Sequence, residues 1–192
     1  HAMYRQVYQH RVLLAADTLN KAVVQRARDL GDDLSFCDVH MRRVLASASP
    51  LELPLETIFN MRESWWRYHL YRWCEDGDAV LGDLADRLVS RRLFKTIRVQ
   101  STDDEEKLIE ASRDAVIKGG FDPRYYFHMV STVDVQSGDS RQSMRVLMDD
   151  NEIRELSEAE PLFDALVKES ATYRKKWIVL PFEAKRIMGR MR

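Results

Sequence analysis

Apolar positions in the first half of the chain recur at helical spacing. Residues 4–29 contain neither Pro nor Gly, and Leu19 and Val23 belong to an apolar series with a period of three to four residues. Gly31 is placed to end this helix. The pattern predicts three further helices, a weak one within 33–49, a long apolar and aromatic one from Thr57 to Gly77, and one over 78–91. We expect these four helices to pack together.

The spacing changes near Leu93, where apolar and polar residues begin to alternate. This alternation predicts a half-buried strand over 93–99. Ser101 or Thr102 with Glu105 forms a capping-box signal for a helix that ends at Gly119-Gly120. The remaining pattern predicts a hairpin of strands 125–135 and 144–148 around a turn at 137–139, a helix over 151–170, a last strand over 173–180 and a short basic helical tail over 182–192.

The order strand, helix, strand, strand, helix, strand is typical of a ferredoxin-like unit, an antiparallel sheet with two helices on one face. The predicted fold class is therefore α+β. A helical bundle occupies residues 1–92, and a ferredoxin-like subdomain occupies residues 93–192.

Composition and charge narrow the classes of partner. The 192 residues are 45% hydrophobic, enough for a substantial core, and 30 Lys and Arg oppose 31 Asp and Glu for a net charge of −1. That balance argues against nucleic acid as a partner. No apolar run reaches membrane-spanning length, and the two cysteines lie far apart, so we expect a soluble cytoplasmic protein. The opening His1-Ala2-Met3 is typical of a cleaved tag, and we expect a portion of a longer protein.

The sequence contains few residues arranged for hydrolysis. None of the five histidines is followed by Asp, no HExxH or GxSxG motif is present, and Gly119-Gly120 is better explained as a helix C-cap than as a phosphate-binding loop. One arrangement has metal-ligand spacing: a structural zinc site of Cys37, His40, His69 and Cys74. Ordinary packing of these four side chains is the favoured alternative.

Basic residues gather where the fourth helix gives way to the first strand. Arg91, Arg92 and Lys95 fall within five positions of one another. Converging cations of this kind suit a polyphosphate, because guanidinium and ammonium groups bind phosphate oxygens strongly. A solvated charged face is the alternative interpretation.

Two segments carry a resemblance to a known family. Residues 3–11, MYRQVYQHR, and residues 88–95, LVSRRLFK, are similar to segments of the HD-domain phosphohydrolases, the group that contains the SAM-and-HD-domain deoxynucleotide triphosphohydrolase. The resemblance implies nucleotide-binding roles for seven residues. Tyr8 and Gln9 would line the nucleotide pocket near the base, His10 and Arg11 would lie at a regulatory nucleotide site, and Arg91 and Lys95 would hold that regulatory nucleotide with Leu93 packed beside it.

The chain departs from the family in its catalytic residues. The family's H…HD…D constellation binds a divalent metal that activates water, and this sequence contains no His-Asp pair. The resemblance therefore implies a C-terminal regulatory and oligomerisation portion, which continues from an absent HD core and forms a homo-oligomer with a nucleotide as its ligand. Two other hypotheses remain open: a stand-alone module that binds a protein or a small ligand, and a nucleic-acid binder that uses the late basic clusters.

Overall fold

Helices and two small antiparallel sheets make up the described part of the chain. The computed structural model describes residues 11–75, 77–99, 104–133, 145–160 and 174–190. This mixture confirms the α+β class. Within these ranges, no helix is both long enough and apolar enough to cross a lipid bilayer.

The first half of the described chain is helical, as its apolar spacing predicts. Its helices are α1 (Arg11–Leu30), α2 (Val39–Ala46), α3 (Leu55–Asn60), α4 (Glu63–Cys74) and α5 (Ala79–Val89), with 3-10 turns at Gly31–Asp33 and Pro50–Glu52. Gly31 ends α1 with a φ of +54°, a left-handed conformation that glycine adopts without strain. Asp38 and Asp78 cap α2 and α5, each by accepting a hydrogen bond from a backbone N–H three residues later at 2.7 Å.

The prediction of one long helix from Thr57 to Gly77 is wrong, because the segment forms two helices, α3 and α4. The chain turns at Met61, and the Arg62 N–H donates to the Asn60 carbonyl at 2.7 Å. Beyond the turn, the Trp65 indole N–H donates to the Asp38 carboxylate at 2.7 Å, which ties the start of α4 to the cap of α2. No Pro or Gly marks the break, so the local pattern does not reveal it.

Two antiparallel sheets form in the second half. Its elements are β1 (Lys95–Val99), α6 (Glu105–Lys118), α7 (Pro123–Tyr126), β2 (His128–Val133), β3 (Arg145–Leu147), β4 (Ile153–Glu155), α8 (Leu156–Ala159), β5 (Arg174–Leu180) and α9 (Phe182–Arg190). One sheet has the order β1-β5-β2, and β3 pairs with β4 in the other. In the larger sheet, Lys95 lies opposite Leu180 and His128 opposite Val179.

The hairpin prediction is wrong in its pairing. Strand β2 pairs with β5. Strand β3 pairs with β4, which lies in the segment 151–170 that the pattern predicts as helix. The larger sheet has the last strand, β5, at its centre, so the ferredoxin-like arrangement is not confirmed. Alternation locates a strand but does not select its partner, which depends on packing across the whole sheet. The capping residues Ser101 and Thr102, the turn at 137–139 and the predicted helix beyond Glu160 lie outside the described residues.

Buried side chains from both halves form one continuous core. Helical members include Leu19, Trp73 and Leu84, and sheet-half members include Phe94 and Ile178. This shared core packs the β1-β5-β2 sheet against the helices. The division into domains 1–92 and 93–192 stays a prediction.

Candidate functional site

The link between α5 and β1, residues 90–95, is the candidate site and is called the junction below. Helix α5 ends as the Ser90 N–H donates to the Asp86 carbonyl at 2.8 Å. Arg91 then takes a φ of +54°, a left-handed conformation that is unfavourable for a residue with a side chain. The Arg91 side chain is exposed, and no ion pair or hydrogen bond involves it within the described residues. Its guanidinium is therefore left unpaired among the residues that the structure describes.

Arg92 anchors the junction. Its guanidinium forms an ion pair with Asp86 and lies 3.7 Å from the Asp83 carboxylate. The Ser90 hydroxyl also donates to Asp86, and these contacts, the Arg92 hydrogen bond foremost, hold the pKa of the Asp86 carboxyl below its usual range. Arg92 is therefore occupied by carboxylates of α5.

The rest of the junction leads into the sheet. Leu93 is half-buried against the core, and the buried Phe94 ring lies 5.9 Å from the Tyr126 ring. Lys95, the first residue of β1, is exposed, and its Nζ lies 5.7 Å from the centre of the Phe182 ring. The structure therefore places Arg91 and Lys95 on the surface at the two ends of a segment that Leu93 and Phe94 fix to the core.

A buried guanidinium of α5 shares a carboxylate neighbour, Asp83, with Arg92 of the junction. Arg87 is 3% exposed and donates to Asp83 at 2.7 Å and to both oxygens of Glu183 at 3.0 and 3.1 Å. The Tyr126 hydroxyl donates to the same Asp83 at 2.7 Å. Burial of Glu183 opposes its ionisation, but the hydrogen bonds from Arg87, a backbone hydrogen bond and the charges of Arg87 and Arg92 together lower the pKa of the Glu183 carboxyl. Arg87 therefore ties α5 to the first turn of α9.

The remaining residues of the predicted nucleotide site lie at the start of the chain. Tyr8, Gln9 and His10 fall outside the described residues. Arg11 is the first residue of α1 and is exposed.

The two histidines of the proposed zinc site make separate contacts. His40 Nδ1 lies 3.2 Å from the Thr57 hydroxyl. His69 is fully buried, its Nδ1–H donates to the Trp65 carbonyl at 2.9 Å, and its Nε2 lies 3.7 Å from the Asp38 carboxylate without a hydrogen-bond partner. Each ring therefore has its own surroundings in the helical half.

The two cysteines have the character of packed thiols. Cys37 and Cys74 are half-buried, and burial raises the pKa of both thiols. Across the described ranges, which include both cysteines, His40 and His69, no group of three or more His, Cys, Asp or Glu is arranged to hold a metal ion. The structure does not bring the four candidates together as a zinc site.

Two residues of α9 extend the junction. Phe182 is 50% exposed, and the Arg186 guanidinium lies 5.9 Å from the centre of its ring. The sequence pattern predicts only a short basic helical tail here. The neighbourhood of Phe182 and Lys95 depends on the pairing of β1 with β5, which no local pattern reveals.

The chain is similar to parts of two longer proteins. The chain matches no known family profile. Over 174 residues it is 25% identical to YwfO, an uncharacterised protein of Bacillus subtilis (strain 168), and the match covers 85% of this chain and 39% of YwfO. Its structure is similar to that of a phosphohydrolase from Bacteroides thetaiotaomicron VPI-5482, with a TM-score of 0.66 and 18% identity over 94% of this chain and 47% of that protein. The chain thus spans less than half the length of each protein and shares its fold with part of a phosphohydrolase.

Proposed function

We propose that this chain is the C-terminal regulatory and oligomerisation portion of an HD phosphohydrolase similar to the deoxynucleotide triphosphohydrolases, and that it has no catalytic activity by itself. The fold shared with part of a phosphohydrolase supports this proposal. So does the absence of a His-Asp pair from the sequence. The described residues do not supply a ligand set for the divalent metal of an HD core. Metal-dependent hydrolysis is therefore assigned to the parent protein.

The conformation of Arg91 carries the proposal of a nucleotide site. A left-handed φ of +54° favours glycine, yet an arginine occupies the position, and its side chain makes no bond within the described part of the chain. The left-handed residue ends α5, and the exposed guanidinium at this position is the group that we propose binds an external ligand. Arg91 and Lys95 supply the charge that a triphosphate requires, and Leu93 packs beside them.

The same proposal includes a contribution from the start of the chain. By resemblance, His10 and Arg11 complete the regulatory site, and Tyr8 and Gln9 line the pocket of the substrate nucleotide. We propose that the regulatory nucleotide lies between subunits and joins them into a homo-oligomer.

A thermal-unfolding series with deoxynucleoside triphosphates tests the site. A ligand at 100 times its dissociation constant should add about 2.7 kcal/mol to the free energy of unfolding. We expect R91A and K95A to lose most of this stabilisation. The matched control is R98A: Arg98 is exposed on the same strand, but its side chain lies on the opposite face from Lys95.

Light scattering on the same samples should show a larger species when nucleotide is added. A wild-type chain that no nucleotide stabilises would contradict the proposal, as would an equal loss in R98A. Hydrolysis of nucleotides by this chain alone would contradict its non-catalytic role.

A second candidate function is a stand-alone interaction module. The segment before and within α3 exposes large apolar side chains, with Leu51 95%, Leu55 70% and Phe59 72% exposed. Exposed apolar residues close together are typical of surfaces that bind another protein. The thermal series separates the two candidates, since the module requires no stabilisation by nucleotides.

A further inference from the structure

We infer that α9 supplies a second wall of the nucleotide site, in which Phe182 packs against the nucleoside and Arg186 joins Lys95 in binding the polyphosphate. This inference rests on the proposed nucleotide site at Arg91 and Lys95, and it adds two residues from α9, the last helix of the described chain.

Strand pairing brings the two walls together. Lys95 begins β1 opposite Leu180, the last residue of β5, and the chain enters α9 two residues later at Phe182. Arg186 follows Phe182 by four residues, so both side chains lie on one face of α9. The Lys95 ammonium and the Arg186 guanidinium lie 5.7 and 5.9 Å from the centre of the Phe182 ring.

This arrangement combines two properties that a nucleotide requires. The half-exposed ring offers an apolar surface to a base or sugar, and aromatic side chains bind bases by stacking. Lys95 and Arg186 place two positive charges around one ring. A polyphosphate supplies the negative charge that pairs with both. Inorganic triphosphate can pair only with the two cations, whereas a nucleoside triphosphate can pair with the cations and also stack on the Phe182 ring.

The ion pairs around the buried Arg87 hold the junction and α9 in place before a ligand binds. Glu183, the neighbour of Phe182, is held by both of its oxygens to the buried Arg87. Arg87 also contacts Asp83, and the Arg92 guanidinium lies 3.7 Å from that same carboxylate. The junction and the first turn of α9 are therefore fixed to one set of charges, which lowers the cost of ordering them around a ligand.

Equilibrium titrations with dGTP, dATP and inorganic triphosphate test the inference on the full chain. We expect F182L to weaken both nucleotides about tenfold, the order of one base–aromatic contact, and to change triphosphate binding less than about twofold. F182W should bind nucleotides within about threefold of wild type, because the indole keeps an aromatic face.

Substitution of Arg186 should change the affinities for nucleotides and for inorganic triphosphate in a different way. R186Q should weaken nucleotides and inorganic triphosphate alike, by about five- to tenfold, because the lost group contacts only phosphate. K185Q is the matched control, since Lys185 is an exposed neighbour on the same helix and is not among the cations near the Phe182 ring. Its affinities should equal those of wild type.

The outcomes distinguish the inference from the function on which it rests. If R91A and K95A weaken nucleotide binding while F182L and R186Q bind as wild type does, the second wall is wrong and the proposed site stands. If wild type binds neither nucleotides nor triphosphate, both fail. F182L that weakens triphosphate as much as nucleotides would assign the ring to cation placement and overturn its contact with the nucleoside.

Discussion

At the scale of single residues, Arg91 has a backbone conformation that is unfavourable for its residue type. Its left-handed backbone favours glycine. We predict that R91G raises the free energy of unfolding by up to about 1 kcal/mol, because relief of strain exceeds the extra chain entropy of glycine, while nucleotide binding is lost. Urea unfolding measures the first effect and titration the second. R91A is the control, since alanine keeps the strain and loses the charge. A destabilised R91G would show that the side chain supports the fold.

His128 carries the expected pH dependence. Its ring lies beside Phe94, and its Nε2–H donates to the Tyr125 carbonyl at 2.8 Å. Burial lowers the pKa of the imidazole below its ordinary 6.5. The unfolded chain therefore binds this proton more tightly than the folded protein, and protonation favours unfolding.

We predict that stability falls as the pH drops below about 6.5, by at most about 1.4 kcal/mol per pH unit from this group, until the folded-state pKa is passed. H128Q should flatten the profile between pH 7 and 5 relative to wild type. The comparison of the two slopes isolates His128 from the other histidines. Parallel profiles would remove His128 as the titrating group.

At the scale of elements, periodicity located most helices and strands but not their partners. The patterns of α1, α5, β1, β5 and α9 agree with the structure to within a few residues at the described ends. Beyond the break between α3 and α4, Trp65 donates a hydrogen bond to Asp38, 27 residues away. The pairing of β2 with β5 depends on distant residues. The spacing of apolar residues reveals neither the helix break nor the strand pairing.

The same limit applies to the candidate site. The sequence predicts Arg91 and Lys95 because they are close in sequence and resemble a family segment. It does not indicate Phe182 and Arg186, because they reach the junction only through the β1–β5 pairing. Arg87 gave no signal either, since a lone arginine on an amphipathic helix is ordinarily exposed.

The contact between α5 and α9 leads to a prediction about Arg87. R87M leaves the Asp83 and Glu183 carboxylates without their shared cation, and we expect a loss of about 2 kcal/mol in the free energy of unfolding. R92M, which breaks a more exposed ion pair, should cost less than about 1 kcal/mol. Urea unfolding of both variants provides the measurement. Equal costs would contradict the central role of the buried guanidinium.

At the scale of the whole molecule, the chain is similar to parts of longer proteins, and the proposed surface site lies where two sequence patterns meet. Helical spacing gives way to strand spacing near Leu93, and the junction lies at that change. The core nevertheless continues across it, from Trp73 in the helices to Ile178 in the sheet. A near-neutral overall charge thus coexists with a local group of cations suited to phosphate.

The continuous core has a consequence for how binding is transmitted. Energy supplied by a ligand at Lys95 or Phe182 stabilises every residue that unfolds together with the sheet, including Trp73, which is buried in the helical half and donates to the Phe36 carbonyl at 2.8 Å. The indole fluorescence of the chain's four tryptophans, Trp73 among them, would therefore report occupancy of the proposed site during unfolding, without any label at the junction.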